Sequence, residues 1–504
     1  MKKSIFFITV SLIVGLVSCN KKLDKDPLSE ATVATFYKTQ SDFIQGANAI
    51  YFNLRTYPDR LINLSETRSD NLYAVSVLGT QPYDPIRAFR TNAVSNQYVE
   101  NAWADNFNGI FKANNFLEQL EQNGSVVTSV QLRTRLQAEA RFLRAFYYFD
   151  LVRYFGKVPV VAKTVTSLEA NDMPRSPVAD VYALIISDLQ FCMTNLPPTY
   201  TATTDVGRAS KYAAESLLAL VYMTRSAPTY GIEGSGMGLN EWTQALTLLN
   251  DVIGSNVFTF NTNYANVFSY TNQNPSINKE AIFDVMYNTL SQPSLGASFV
   301  SLTVPDAYFT TVLTKPAQMG GAGRPTSFDL YNTYEAIDVR PAFNFIIYFT
   351  QLGIPGNRPY LKKYLDATKV PVLSYDWGIN FMALRYTDIL LLKAECILKG
   401  ATGGTQTEVD AIVNQVRRRA GLGNALNVTL PQLYAERRRE LVGEGSRWFD
   451  MQRAGGIVET MNAWIAKDDD LKQINPFEAN FILYPVPQSQ LDVQPGLYKQ
   501  NPGY

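Results

Sequence analysis

Cys19 is the residue whose sequence context predicts the most specific chemistry in this chain. It ends the run LVSC at residues 16–19, which follows two lysines and an apolar segment from Ile5 to Val17. That segment is too short to span a bilayer as a helix and is typical of a secretory signal. The run resembles a bacterial lipobox, in which the cysteine is acylated and becomes the new N-terminus. The alternative is an ordinary signal peptide with a coincidental cysteine.

Acylation at Cys19 predicts a lipid-anchored envelope protein with residues 1–18 as its signal peptide. Each buried methylene of a fatty acyl chain such as palmitate adds about 0.8 kcal/mol of membrane affinity, so several chains anchor a domain firmly. Residues 19–28 are charged and nearly free of aliphatic side chains. Such a stretch buries too little surface to fold, so we expect a tether between the membrane and the body of the protein.

The sequence contains no histidine, the commonest general base and metal ligand in proteins. Nucleophile schemes that need a Ser–His or Cys–His pair are therefore excluded. Cys192 and Cys396 each lie among apolar residues of predicted helices, which favours buried free thiols over a disulfide. We expect a protein that is not an enzyme, with no catalytic residue, no metal ligand and no cofactor.

A glycoside hydrolase is the main enzymatic alternative, because that chemistry needs only a pair of carboxylates. Asp306 and Asp376 are candidates, since each lies near an aromatic residue in the sequence. The chain has 45 Asp and Glu residues, so pairs of this kind arise by chance and the pattern is weak. Its 45 Lys and Arg residues balance them, which favours neither nucleic acid nor an anionic surface as a partner.

Aromatic residues are abundant, and 29 Tyr, 28 Phe and 5 Trp make up 12% of the chain. Many must pack in the core, but several lie in segments that lack helical periodicity and are rich in Gly, Pro, Asn and Thr. Rings on such loops suit a platform that stacks on sugars or peptide side chains, while polar neighbours bond hydroxyl groups. The predicted ligand-binding residues are Arg68, Asp70, Tyr73, Tyr83, Tyr308, Phe309 and Trp377.

Apolar residues recur at steps of three or four along much of the chain, which predicts a mainly all-α fold. The predicted helices are 41–55, 96–122, 129–155, 177–195, 209–225, 240–253, 380–399, 405–420 and 430–454. A loop-rich insertion with short β-prone runs is expected at about 255–380. Residues 436–453 combine acidic residues at four-residue steps with arginines, which predicts a lattice of local ion pairs on a helix rather than a catalytic centre.

Several short motifs are spread between the lipobox and the last residue. They are EARFLRAFYY at 139–148, GKVP at 156–159, RYTDILLL at 385–392, ERRREL at 436–441, EGSRWFD at 444–450, YPVP at 484–487 and NPGY at 501–504. Each is weak alone, but together they resemble the SusD/RagB family of lipoproteins from Bacteroidetes. The resemblance implies four TPR-like helix pairs that support a loop-rich ligand-binding face, within a single domain over residues 29–504.

The resemblance also implies a function at the cell surface. A protein of this family binds oligosaccharides and delivers them to a TonB-dependent outer-membrane transporter of SusC type. The expected partners are therefore a glycan, that transporter and the membrane that holds the lipid anchor, with the protein facing outside. A peptide-binding member of the same family and a TPR-type scaffold that binds only proteins are the alternatives.

Replacing Cys19 by Ala should leave the signal peptide unprocessed by the lipoprotein pathway and release or mislocalise the protein. Fatty-acid labelling and protease accessibility on intact cells measure both effects. Cys192→Ala is the matched control and should label as the parent chain does, because its thiol is predicted to be buried. A Cys19→Ala variant that still takes up fatty acid and stays at the cell surface would contradict the lipobox.

Overall fold

The computed structural model of the protein describes residues 36–75, 79–290, 295–349 and 358–504. The predicted signal peptide, Cys19 and the tether lie outside these residues. No helix of the described ranges is long and apolar enough to cross a membrane. Cys192 and Cys396 are buried free thiols, as predicted.

Eleven helices of eight or more residues are present in the described part of the chain. They are α1 (Gln40–Phe52), α2 (Gln97–Asn123), α3 (Val130–Phe155), α4 (Val178–Asn195), α5 (Lys211–Arg225), α6 (Trp242–Gly254), α7 (Tyr386–Leu398), α8 (Gln406–Arg419), α9 (Leu430–Glu440), α10 (Arg447–Ala454) and α11 (Ile457–Asp468). Shorter helical turns lie at Asn53–Thr56, Tyr57–Arg60, Leu61–Glu66, Asp84–Arg87, Thr91–Ser95, Gly124–Val126, Ser167–Asn171, Thr203–Asp205, Tyr264–Val267, Phe299–Ser301, Tyr308–Val312, Phe328–Tyr331, Arg340–Asn344, Ala479–Ile482 and Gln488–Val493.

Four short strands accompany these helices in the described residues. They are β1 (Ala281–Val285), β2 (Phe345–Ile346), β3 (Tyr360–Leu361) and β4 (Phe381–Arg385). Strand β1 pairs with β4, and β2 pairs with β3, both antiparallel. The pairing of β1 with β4 therefore brings together two chain segments that lie far apart in the sequence, whereas β2 and β3 are close neighbours in it.

Helix α3 confirms the prediction for residues 129–155. The Ser129 hydroxyl caps its start by accepting a hydrogen bond from the backbone N–H of Leu132 at 3.2 Å. It ends at Gly156, whose φ of +66° favours glycine, and where an ideal Cβ would lie 2.6 Å from the carbonyl oxygen of Glu233. From Leu136 onward almost every residue of α3 is buried. This helix is therefore central to the core.

Helices α2 to α8 pack in sequence order, each against the next. The approach between α2 and α3 is close, because an ideal Cβ on Gly109 would lie 2.4 Å from the ring of Tyr147. A residue larger than glycine would push these two helices apart. The mostly helical structure and this stacking confirm the predicted all-α, TPR-like architecture.

Two of the helix predictions are wrong in part. The first residues of the predicted helix 380–399 form β4, because they pair with the β-prone run that becomes β1. The predicted helix 430–454 is divided into α9 and α10 by Gly443 and Gly445, which have φ values of +80° and +78°. Helix α11 was not predicted. In the first two cases, strand pairing or backbone angles outside the helical pattern decide the result.

The charged stretch 436–453 is mostly buried, and many of its ion pairs join distant parts of the chain, which corrects the expectation of a local lattice on one helix. The carboxylate of Glu440 accepts hydrogen bonds from Arg419 at 2.6 Å, Arg385 at 2.9 Å and Arg340 at 3.3 Å. These partners lie 21, 55 and 100 residues away in the sequence. Glu280, just before β1, pairs with two of the same arginines, Arg419 at 2.6 Å and Arg385 at 3.3 Å.

A second buried cluster lies beside this one. Asp450 pairs with Arg437 at 2.9 Å and with Arg453 at 2.6 Å. Arg453 in turn pairs with Glu395 of α7 at 2.9 Å. Helices α7, α9 and α10 are therefore tied by charged side chains in the interior. The ionic residues of this motif have a structural role, as the sequence predicted. They join separate helices of the fold rather than successive turns of one helix.

Glu440→Gln should lower the free energy of unfolding by about 3–5 kcal/mol, because the arginines around it would stay buried without the central carboxylate. Urea melts at neutral pH measure this change. Glu121→Gln, an exposed change on α2, is the control and should stay within about 0.5 kcal/mol of the parent chain. A similar effect for both variants would contradict a central role for Glu440.

The same carboxylate predicts a pH dependence of stability. Burial raises the pKa of Glu440, but the positive charges of Arg419, Arg385 and Arg340 lower it by more than burial raises it. The net effect is a pKa lowered from 4.5 to about 2. A lowered folded-state pKa stabilises the protein above pH 4.5, and this stabilisation is lost as the pH falls towards 2. Urea melts across this range should show a shallower loss for Glu440→Gln. An unchanged slope would place the acid sensitivity in other groups.

Candidate ligand-binding face

Four loop segments without long helices or strands pack together in the predicted insertion. Among the described residues they are 286–290 with 295–297, 305–323, 345–349 and 370–377, and we call them the loop face. The first and last are joined by a pair of backbone hydrogen bonds between Ala297 and Trp377, at 2.8 and 3.2 Å. The side-chain amide of Gln318 donates to the carbonyl oxygen of Pro371 at 3.0 Å, which joins the second and last segments.

Buried rings hold the loop face from beneath. Phe309 packs on Trp377 with 6.1 Å between ring centroids, and both side chains are fully buried. Tyr308 packs edge-on against Phe349 at 5.4 Å. These two contacts join the turn Tyr308–Val312 to the last and third segments. The loops therefore have a defined arrangement although they lack regular secondary structure.

Asp306 shapes the second loop of this face. Its carboxylate accepts hydrogen bonds from the backbone N–H groups of Gln318 at 2.9 Å, Gly320 at 3.0 Å and Gly321 at 3.0 Å. Glycine is required at 320, because an ideal Cβ there would lie 2.0 Å from the carbonyl oxygen of Val304. A carboxylate that is satisfied in this way stabilises a turn. This bonding favours a structural role for Asp306 over the acid or base of a glycoside hydrolase.

The loop face presents exposed rings and aliphatic side chains. Tyr348 is 92% exposed and Tyr375 is 48% exposed, on the third and fourth segments. The exposed aliphatic residues of the four segments are Met286, Leu290, Val312, Met319, Ile347, Val372 and Leu373. Exposed apolar residues that are this numerous within a few loops mark a binding surface more often than scattered ones do.

Six of the seven predicted ligand-binding residues are buried, so the expectation that they form an exposed platform is wrong. They are Arg68, Asp70, Tyr73, Tyr83, Phe309 and Trp377. Tyr308 is half-buried beneath the loop face. The segments had the predicted irregular backbone, but their side chains turn inward. A role in ligand contact stays a prediction, and in this structure it fits Tyr308 better than the other six.

Partners within the protein explain this burial. The Tyr73 hydroxyl donates to Asp469 at 2.8 Å, and the Tyr83 hydroxyl donates to the carbonyl oxygen of Gly323 at 2.7 Å. Arg68 lies 4.0 Å over the ring of Tyr484. Asp70 accepts two hydrogen bonds from Arg447, both at 2.7 Å.

The pKa of Asp70 reflects that position. Burial raises this pKa, but the positive charges of Arg438 and Arg447 lower it by more than burial raises it, and the net result is a pKa of about 2. The carboxylate therefore stays ionised at neutral pH, with its charge held by the two arginines. A ligand hydroxyl would have to displace an arginine from it, which argues for a structural role.

The sequence reasoning missed Tyr348, the most exposed ring of the loop face. It lies in the run FIIYF at residues 345–349, which reads as a buried strand. Only its first two residues form β2, and Tyr348 has a φ of +60° that turns its side chain outward. No sequence pattern marks this backbone conformation. The sequence could have indicated Tyr375 as a site residue, because it lies two residues before the predicted site residue Trp377.

The described residues contain no group of three or more Asp, Glu, His or Cys side chains placed to hold a metal ion. The exposed part of the candidate face combines rings and aliphatic side chains with polar ones such as Thr310, Thr311 and Lys315. Apolar surface with a few polar groups suits recognition of a ligand that has apolar faces.

A helical, TPR-like scaffold that carries a loop-rich face defines a class of binding proteins, and two family models match the chain. The model described as starch-binding, associating with the outer membrane, matches residues 23–223. The model described as the SusD family matches residues 354–504. The chain belongs to the SusD family, as its sequence motifs predicted.

Related sequences and solved structures of similar fold cover nearly the whole chain. The SusD-like protein P25 of Formosa agariphila is 25% identical, over 100% of both chains. The surface glycan-binding protein A of Bacteroides uniformis has a TM-score of 0.76 at 24% identity, covering 92% of this chain and 100% of its own. The surface glycan-binding protein A of Bacteroides thetaiotaomicron, solved with laminarihexaose, has a TM-score of 0.75 at 21% identity, with coverages of 92% and 100%. The two structures establish the fold.

The double change Tyr73→Ala with Tyr83→Ala should lower the midpoint of thermal unfolding, because it removes two buried rings and two buried hydrogen bonds. Losses of about 3–5 kcal/mol are usual for one aromatic ring removed from a core. Thermal melts measure the effect. Tyr348→Ala is the control and should melt close to the parent chain, because its ring is exposed. An unchanged melt for the double variant would show that these rings do not support the fold.

Proposed function

We propose that this protein is a surface lipoprotein that binds oligosaccharides on its loop face and does not turn them over. The observation that carries the proposal is the pair of exposed rings, Tyr348 and Tyr375, on loops held by the buried contact of Phe309 with Trp377. Aromatic faces stack on the apolar faces of sugar rings, and they lose little entropy when already fixed. The glycan-binding names of proteins with the same fold support this ligand class.

The content of the loop face supports the proposal of binding without catalysis. The chain has no histidine, and Asp306 is bonded to three backbone N–H groups. A retaining or inverting glycosidase needs two carboxyl groups that both reach the scissile bond. Incubation of purified protein with a bound oligosaccharide should therefore release no reducing ends.

We further propose that Cys19 carries the lipid anchor and that the protein delivers its ligand to a TonB-dependent transporter of SusC type. The lipobox at residues 16–19 and the outer-membrane association in the family description support this placement. A lipid anchor at the start of a charged tether leaves the helical body outside the membrane. The loop face is then free to meet polymers outside the cell.

A peptide ligand is the second candidate, and the aliphatic side chains of the loop face favour it. Leu290, Met319 and Val372 are exposed there, and they provide contacts for apolar peptide side chains that a sugar needs less. Titration calorimetry with laminari- and malto-oligosaccharides on one side and mixed apolar peptides on the other separates the two ligand classes. Binding of peptides alone would replace the glycan proposal.

Tyr348→Ala should weaken oligosaccharide binding by about ten- to a hundredfold, which is the loss typical of removing one central aromatic contact. Calorimetry with the oligosaccharide that binds the parent chain best measures it. Phe111→Ala is the matched control, because Phe111 is a 53% exposed ring on α2, outside the loop face. Equal affinities for both variants would place the site elsewhere.

A further inference from the structure

A cavity of about 370 Å³ lies at the margin of the loop face, and neither Tyr348 nor Tyr375 lines it. Three segments and Leu295 line it, and the segments are residues 48–55 at the end of α1, residues 204–208, and residues 284–288 at the end of β1. Its size suits a small organic molecule. The neighbouring wall of β1 packs into the core through Phe283, whose ring lies 4.9 Å from that of Phe142. The cavity is therefore built on a fixed base.

Asp284 is the unusual residue of this cavity. It is 5% exposed, and its Oδ1 atom is buried without a hydrogen-bond partner in the described part of the chain. It forms no ion pair with a described residue, although exposed Lys279 lies on the same segment. Buried polar atoms are almost always satisfied, so an unsatisfied carboxylate oxygen calls for a partner from outside the chain.

The cations that line the same cavity are already engaged. Arg208 donates to Glu139 and Asn48, both at 2.8 Å, and to Asp205 at 3.0 Å. Arg55 donates to the carbonyl oxygen of Gly296 at 2.9 Å. A ligand would therefore have to supply the positive charge that complements the carboxylate of Asp284.

Aromatic rings form the rest of the wall. The hydroxyl of Tyr51 accepts from the backbone N–H of Ala209 at 3.0 Å, and the hydroxyl of Tyr287 donates to the carbonyl oxygen of Arg55. With the hydroxyls occupied, the ring surfaces are what these residues offer. Phe52, half exposed, lines the cavity as well. Carboxylate and aromatic surface together form the usual environment for an ammonium group.

We propose that this cavity binds a small primary ammonium ligand with an apolar body, whose ammonium group donates to the unsatisfied Oδ1 of Asp284. The rings of Tyr51, Phe52 and Tyr287 contact the apolar body. This site does not include Tyr348 or Tyr375, the exposed rings that carry the oligosaccharide proposal. It gives the protein a second ligand of a different chemical class.

The geometry predicts a pH dependence with a definite sign. Burial raises the pKa of Asp284 to about 7, and a hydrogen bond with Asn380 offsets part of the rise. The titratable and charged groups around the cavity are Arg55, Arg208, Asp205, Glu139, Tyr51, Tyr200, Tyr287 and Lys279. An ammonium ligand needs the ionised carboxylate, so its affinity should rise about tenfold from about pH 6 to about pH 8.

Benzylammonium and its neutral analogue benzyl alcohol test the proposal by calorimetry on the full-length protein in detergent. Benzylammonium should bind at least tenfold more tightly than benzyl alcohol and should follow the expected pH dependence. Equal binding of the two probes, or no binding of benzylammonium at millimolar concentration, would overturn the proposal.

Two variants and a control complete the test. Asp284→Asn keeps the shape of the side chain and should remove both the binding of benzylammonium and its pH dependence. Phe52→Ala, at a half-exposed ring, should weaken binding without unfolding the protein. Glu121→Gln, on the exposed side of α2, controls for the loss of one negative charge and should bind as the parent chain does. Unchanged binding in both cavity variants would overturn the site, whereas oligosaccharide binding should persist in either of them.

Discussion

The buried carboxylate of Glu440 is the interaction on which the rest of this structure depends. Three arginines from a short turn, a strand and a helix converge on it, at 3.3 Å for Arg340, 2.9 Å for Arg385 and 2.6 Å for Arg419. Removing charges from water is costly, and the cost is offset only when every partner is in place. The parts of the chain that supply these partners must therefore assemble together, which makes the C-terminal helices and the segment before them one cooperative unit.

This network also fixes the base of the loop face. Glu280 precedes β1 and Arg385 ends β4, and their ion pair at 3.3 Å lies beside the pairing of the two strands. The irregular segments of the loop face lie between these two residues in the sequence, and Arg340 joins the network from their midst. Loops closed at both ends and held in the middle keep a defined shape without regular structure. A preformed surface of this kind loses less entropy on binding.

The sequence predicted the helices well where local signals agree with burial. Residues 129–155 have a cap at Ser129, a continuous apolar stripe and a glycine stop, and the structure places α3 within a residue of that range. Predictions failed where distant contacts decide the outcome. The start of the predicted helix 380–399 pairs with β1, about a hundred residues earlier, and becomes a strand. The predicted site residue Tyr73 turns inward to Asp469, a partner 396 residues away, and no local pattern announces it.

The loop face shows why the exposure of an aromatic residue could not be read from composition. Tyr83 lies in a polar, irregular stretch but is buried, because its hydroxyl reaches Gly323 of the second loop. Tyr348 lies in an apolar run but is exposed, because its backbone adopts a left-handed conformation. The neighbouring residues in the sequence predict an exposed Tyr83 and a buried Tyr348, which is the opposite of what the structure has. The surface of such a binding protein is decided by how its loops close on one another, and the buried charges and rings beneath determine that closure.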